Sequence, residues 1–173
     1  MAVLPILKYP DPILKKEAGP ITEITEDIRK LAQDMIETMY DAPGSGLAAP
    51  QVGRSCRLIV VDHSTEEHVG RALALLNPEI VRAEGELVFE EACLSVLDYS
   101  AKVTRANQVW VRSLDLVGCP VEIEAEGRLA VVLQHEIDHL NGILFIDRIS
   151  SLKRDLYRRK LKKILKNQEK EPE

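Results

Sequence analysis

Apolar and polar residues repeat with two different periods along this chain, and the changes of period mark its elements. Between 26 and 41, Ile28, Leu31, Ala32, Met35, Ile36 and Met39 recur at three- and four-residue intervals, the spacing that collects side chains on one stripe of a helix. Thr25 stands ahead of them as an N-cap, with Glu26 and Asp27 in the positively polarised first turn. The pattern predicts a helix over 26–41 whose methionines belong to the core. A second helical run, Leu129, Ala130, Val131, Val132, Leu133, Ile137 and Leu140, is apolar round most of its circumference. That predicts a buried helix, ended by Asn141-Gly142. Short apolar runs read as strands at 56–63, 72–83, 85–90, about 102–104, 109–112 and 119–124. Gly85 is expected to make a hairpin turn between two of them, and Gly118 with Pro120 punctuates the turn before the last. Pro5, Pro10, Pro12 and Pro20 predict an extended N-terminal arm with at most one short helix. Strands in a run followed by helices predict an α+β fold.

Composition narrows the picture. The 173 residues suit one domain, and 45% are hydrophobic against 4% aromatic, so the core must be aliphatic. A net charge of −5 argues against the whole molecule binding nucleic acid, so no DNA partner is expected. No apolar run approaches a bilayer span, and the opening Met1-Ala2-Val3-Leu4-Pro5 lacks the basic start of a signal peptide. Cys56, Cys93 and Cys119 form no disulfide-like framework, which points to a reducing, cytoplasmic compartment; the lack of a bilayer-length apolar run leads to the expectation of no membrane association. Cys56 and Cys119 lie in strand patterns and read as small buried hydrophobes.

The buried helix carries the chemistry. His135-Glu136-Ile137-Asp138-His139 is a His-Glu-x-x-His sequence; residues four apart share a helix face, so both imidazoles can reach one metal ion. Glu136 lies about 100° round from His135, poorly placed as a ligand but able to hold and deprotonate a water. Histidine and glutamate inside an apolar helix must be paired, neutralised or metal-bound. Val131 and Val132, one turn before the ligands, are candidates to line a substrate pocket, with ordinary core packing the alternative. A catalytic site of this kind needs a third protein ligand. The position six residues after His139 is Phe145, which cannot bind metal, whereas Cys93 upstream offers a thiolate; its alternative role is again a small buried hydrophobe. Gly44-Ser45-Gly46-Leu47-Ala48-Ala49-Pro50-Gln51 allows close backbone approach and brings an amide donor, but no Gly-Lys-Ser/Thr follows to make it a phosphate loop.

Three stretches together, Gly44-Ser45-Gly46-Leu47-Ala48-Ala49-Pro50-Gln51, Glu91-Ala92-Cys93-Leu94-Ser95 and Gln134-His135-Glu136-Ile137-Asp138-His139, resemble in order and spacing the signature motifs of the peptide deformylases. The resemblance covers the chain to about residue 150. It implies mostly antiparallel strands packed around a central metal-binding helix. The implied enzyme is a metal-dependent hydrolase that removes the N-formyl group, as formate, from N-formyl-methionyl nascent peptides. One divalent ion is implied, Fe2+ first, with Zn2+, Ni2+ or Co2+ as alternatives. Carried over residue by residue, Cys93, His135 and His139 would be the ligands. Glu136 would be general base and then acid for a metal-bound water whose pKa falls from about 15.7 towards 7. Gln51 and the Leu94 backbone N–H would stabilise the developing oxyanion, and Gly46 would let substrate backbone approach. Glu91 would pair with Arg105 to brace the cysteine loop. Another His-Glu-x-x-His metallopeptidase, or a metal-stabilised binding protein without turnover, are the rival readings.

The sequence departs from the family pattern at three places: Ala92 stands where members usually have Gly, Ser45 where a bulky aliphatic residue is common, and Leu97 where many have Pro. An alanine forced to positive φ at 92 would cost about 1 kcal/mol or more, and Ser45 would make the pocket wall smaller and more polar. Residues 1–150 read as one catalytic domain and 151–173 as a basic C-terminal helix with a frayed tail from Glu169. Between Lys153 and Lys166 lie eight basic residues and one acid, with Leu152, Leu156, Leu161, Ile164 and Leu165 as an apolar stripe. Such a helix on an acidic body could dock on the ribosome through its RNA.

Overall fold

The computed structural model describes residues 2–170. Helix α1 (Glu26–Asp41) starts where expected, with the Thr25 hydroxyl accepting from Ile28 N at 3.2 Å. Leu31, Ala32, Met35 and Met39 form its buried stripe. Seven strands follow, β1 (Gly46–Ala48), β2 (Leu58–Asp62), β3 (Ala72–Glu84), β4 (Leu87–Cys93), β5 (Val96–Arg105), β6 (Gln108–Leu114) and β7 (Pro120–Glu126), then α2 (Arg128–Leu140) and α3 (Ser151–Lys170). Five strands make an antiparallel sheet in the order β1-β2-β3-β6-β7, and β4 with β5 makes a separate hairpin.

The continuous apolar run of β2 has a simple cause. Ile59 and Val61 pack against α2 together with Ala130, Leu133, Ile137 and Leu140, while Leu58 and Val60 face Leu31, Met35 and Met39 of α1. Successive side chains of a strand point to opposite faces, so a strand covered on both faces cannot alternate. The strand β5 is covered on one face only. Ala101, Val103 and Arg105 are buried, and Ser100, Lys102 and Thr104 between them are exposed. The strand is longer than the expected 102–104 because alternation hides its ends.

Gly85 does not close a hairpin. The edges of β3 are occupied by β2 along its first part and by β6 beyond Leu76. Gly85, at φ +70°, instead turns the chain out of the large sheet into the β4–β5 hairpin. Cys119 also departs from expectation: it is exposed, in a turn where its carbonyl accepts from Asp115 N at 3.0 Å, and Cys56 is only partly buried.

The N-terminal arm includes one short 3-10 turn, Pro12–Lys15, and is pinned across the site region by Leu7 N to Gln51 O and Tyr9 N to Ser95 O, both 2.7 Å. The docking of α3 depends on Tyr157 and Leu161, buried against Leu14, Val96, Val103 and Phe145, with Ile164 and Leu165 half-buried beyond them. Tyr157 donates to Leu97 O at 3.1 Å and stacks on Tyr99 with centroids 4.6 Å apart. Leu152 and Leu156 do not join this stripe and are 68% and 54% exposed. Tyr157 sets the docked face, and Leu156 lies about 100° round the helix from it. Glu169 and Lys170 still belong to α3 rather than to a tail; Glu171, Pro172 and Glu173 lie outside the described residues. Among those described, no helix is long and apolar enough to cross a membrane.

Candidate metal centre

His135 and His139 sit one turn apart on α2, and Cys93 ends β4 opposite them. A register shift between Ala92 and Cys93 interrupts the β4–β5 ladder there, the local device by which a bulge re-aims a side chain. Cys93 Sγ lies 3.4 Å from His139 Nε2, and one donor atom from each of Cys93, His135 and His139 falls within 4.8 Å of the others. Bonds of about 2.0–2.3 Å in a tetrahedron separate ligand atoms by about 3.3–3.8 Å; the Cys93–His139 separation falls in that range, and a thiol with two imidazoles is a donor set suited to a divalent transition metal.

The imidazole of His135 is oriented from behind. Its Nδ1 is 2.8 Å from Glu91 Oε1, which holds the ring proton there and turns Nε2 towards the thiol. The Glu91 carboxylate is gripped in turn by the fork of Arg105, Nε to Oε2 and Nη2 to Oε1, both 2.8 Å, and both side chains are 2% exposed. Arg105 Nη1 also donates to Asp138 Oδ2 at 2.6 Å, and Arg148 closes on Asp138 at 2.6 and 2.7 Å. Two carboxylates and two guanidiniums thus alternate behind the site. Burial alone would raise the Glu91 pKa, but its bonds from Arg105 and His135 outweigh that and pull it down to about 2. Glu91 and Arg105 are ion-paired. Asp138 and Arg148 were not identified from sequence; the only signal was an aspartate on a buried helix, which had to find a cation.

Glu136 is 4% exposed, and no protein group reaches its Oε2. Burial pushes its pKa up to about 7. The backbone of Gly46 lies against this carboxylate: a Cβ there would fall 2.7 Å from Glu136 Oε1. Gly46 is therefore required by the glutamate itself. Gln51 is 2% exposed and held at both ends. Its Oε1 accepts from Ala48 N at 2.9 Å, and its Nε2 donates to Ser95 Oγ at 3.0 Å while lying 3.6 Å from Cys93 Sγ. Burial holds the pKa of His139 well below the usual imidazole range, which favours the neutral, ligating form.

These groups border a cavity of about 360 Å³ whose walls include Ser45, Gly46, Gln51, Ala92, Leu94, Val131 and Val132. Val131 is also 3% exposed core, so the two alternatives for it coincide. Ala92 carries no strain: among the described non-glycine residues only Asn77 and Asp98 have positive φ, and Ala92 pairs with Ser100 in the hairpin. The expected penalty does not arise because position 92 is ordinary extended backbone. Leu97 packs half-buried beside the aromatic cluster under α3. Ser45 has a partner that sequence reasoning missed, Arg128 Nη2, 2.6 Å from its hydroxyl.

A buried His-Glu-x-x-His helix with a cysteine beside its histidines, at the wall of an open cleft, has the form of a metal-dependent hydrolase. The model of the polypeptide deformylase family matches residues 3–155. A peptide deformylase of Thermodesulfovibrio yellowstonii is 56% identical over 162 residues, 94% of this chain and 98% of the relative. The crystal structure of a peptide deformylase from Legionella pneumophila superimposes with a TM-score of 0.89 at 49% identity, covering 99% of this chain and 100% of that one. A Met-Ala-Ser-bound class I type b peptide deformylase from Acinetobacter baumannii gives 0.79 at 39% identity, covering 86% and 99%. The chain belongs to the polypeptide deformylase family. It is an enzyme, a hydrolase of protein biosynthesis that removes the N-formyl group from nascent peptides, and the family implies a divalent metal.

Proposed function

We propose that this deformylase holds one Fe2+ ion through Cys93, His135 and His139 and uses Glu136 to move the proton. The observation that carries this reading is the convergence of the three donors within 4.8 Å beside a buried, unpartnered Glu136 oxygen. When bound, the ion would supply Lewis acidity that brings the pKa of water at the site towards neutrality. Glu136, whose carboxyl burial raises above the usual carboxylate range, would take a proton from the attacking water and return it to the departing amine nitrogen. The Gln51 amide, its orientation fixed by Ala48 and Ser95, and the Leu94 N–H would donate to the formyl oxygen as negative charge develops. Losing one such donor costs about 2.7–4 kcal/mol of barrier. Val131 and Val132 offer an apolar floor for the methionine side chain, with Ser45, Gly46 and Ala92 round its rim. By the composition argument the enzyme works in the cytoplasm, residues 1–150 forming the catalytic domain.

Formate release from formyl-Met-Ala-Ser by protein loaded anaerobically with Fe2+ tests the assignment. Turnover should collapse in Glu136→Ala and in Cys93→Ser; turnover surviving Cys93→Ser would remove the thiolate from the ligand set. The basic α3, with Leu152 and Leu156 exposed, supports docking on the ribosome near emerging chains. Affinity indifferent to salt, or to truncation after Ser151, would refute that.

A further inference from the structure

We infer that Arg128, held by Ser45, makes one end of the substrate cleft a carboxylate-recognising rim. The enzyme then favours peptides with Asp or Glu in the first two positions after the formylated residue. This rests on the proposed site: the formyl group must lie at the Cys93–His135–His139 end.

Arg128, Val131, Val132, His135 and Glu136 all border the cavity; their spacing of three, four, seven and eight residues from Arg128 puts them on one face of α2. Arg128 precedes His135 by seven residues, about 10 Å along the axis. An extended peptide advances about 3.3 Å per residue, so a flexible arginine there meets the side chains just beyond the formylated residue. Gly46 abuts Glu136, and Ser45, one residue earlier, accepts from Arg128 Nη2 at 2.6 Å. The cleft therefore has a donor end and a guanidinium end.

The guanidinium at that second end forms no ion pair among the described residues. Arg128 is the only lysine or arginine bordering the cavity among the described residues, and none of their carboxylates lies within ion-pairing distance of it. Of the three acids that border the cavity, Glu91 holds Arg105 and His135, Glu136 lies buried at the donor end, and Glu90 accepts from the neutral Ser100 hydroxyl. The bond to Ser45 engages one N–H and leaves donors of a planar fork whose geometry matches a carboxylate. With a net charge of −5, the long-range field of the molecule repels acidic peptides. A preference for them can only come from this local cation.

The test compares formyl-Met-Asp-Ser, formyl-Met-Ser-Asp, formyl-Met-Asn-Ser and formyl-Met-Lys-Ser on the metal-loaded, full-length enzyme. At least one Asp peptide should exceed the Asn peptide by about three- to tenfold in kcat/KM, expressed in KM, with the ratio shrinking as salt rises. Arg128→Glu should invert the order in favour of Lys, and Ser45→Val should lower the ratio without inverting it. Calorimetric binding of the unformylated Met-Asp-Ser, Met-Ser-Asp and Met-Asn-Ser should rank in the same order without turnover. Equal values for both Asp peptides and the Asn peptide, or an Asp preference retained in Arg128→Glu, would overturn the inference. Failure to release formate from any peptide would strike the proposed catalytic roles instead, and calorimetry would still decide the rim.

Discussion

Helix α2 buries eight of its thirteen residues, whereas α3 buries two of twenty. The polar side chains of the two helices accordingly live under different rules. On α2 a polar group out of water is paired or neutralised: Asp138 takes two guanidiniums, Gln134 takes both the N–H and the carbonyl of Ala106 at 3.0 and 2.9 Å, and burial raises the pKa of the unpartnered Glu136. On α3 lysines and arginines stay solvated at little cost, and one aromatic and a few aliphatic contacts hold the helix down. The α2 groups beside the site, His135 and Asp138, are thus oriented by buried partners. Anything α3 does is written in its net charge and exposed leucines.

The contrast breaks most sharply at Arg105. Arg105→Leu would leave Glu91 and Asp138 buried without their shared cation, and should cost about 3–5 kcal/mol in urea unfolding. Gly46→Ala comes next. The added methyl must displace the Glu136 carboxylate, and a shift of about 1 Å there should lower formate release on the order of 10²-fold with the fold intact by circular dichroism.

Acid titration probes the same network. Because the Glu91 pKa is lowered from 4.5 to about 2, its contribution is present above pH 4.5 and is lost as pH falls towards 2. Glu91→Gln should flatten that limb of a stability-versus-pH curve. On α3 the sign reverses. Burial, with the nearby Tyr9, raises the Tyr157 pKa from 10.0 to about 12, so the protonated phenol is favoured by folding and stability declines as pH rises from 10 to 12. Tyr157→Phe should remove that decline, together with about 0.5–1.5 kcal/mol from the lost bond to Leu97. The smallest effect belongs to the solvated face: Leu156→Ser should move the unfolding midpoint by no more than about 0.5 kcal/mol. A larger loss would mean that Leu156 is covered.

Much of the site was readable because its parts are local repeats. A four-residue spacing puts His135 and His139 on one face whatever surrounds the helix, and an apolar girdle announced its burial. The α1 stripe and its Thr25 cap were legible for the same reason. Less visible was anything that depends on which side of an element meets a neighbour. Leu152 and Leu156 form as good an amphipathic pattern as Tyr157 and Leu161, and only the pocket of Leu14, Val103 and Phe145 selects the tyrosine face. Gly85 looked like a hairpin turn because a glycine between strands does not say which edges are already taken.

By itself the sequence determined the periods, caps and ligand-type residues, since these follow from backbone geometry over a few residues. Tertiary structure alone decided which distant groups became partners: Arg148 with Asp138, Arg105 with both Glu91 and Asp138, Arg128 with Ser45, and Gly46 with Glu136. The Arg128–Ser45 and Gly46–Glu136 pairs span more than eighty residues of chain. Nothing local biases such contacts, because they depend on which distant segments the fold brings together, and for Arg105, Glu91 and Asp138 burial removes water as the competing partner.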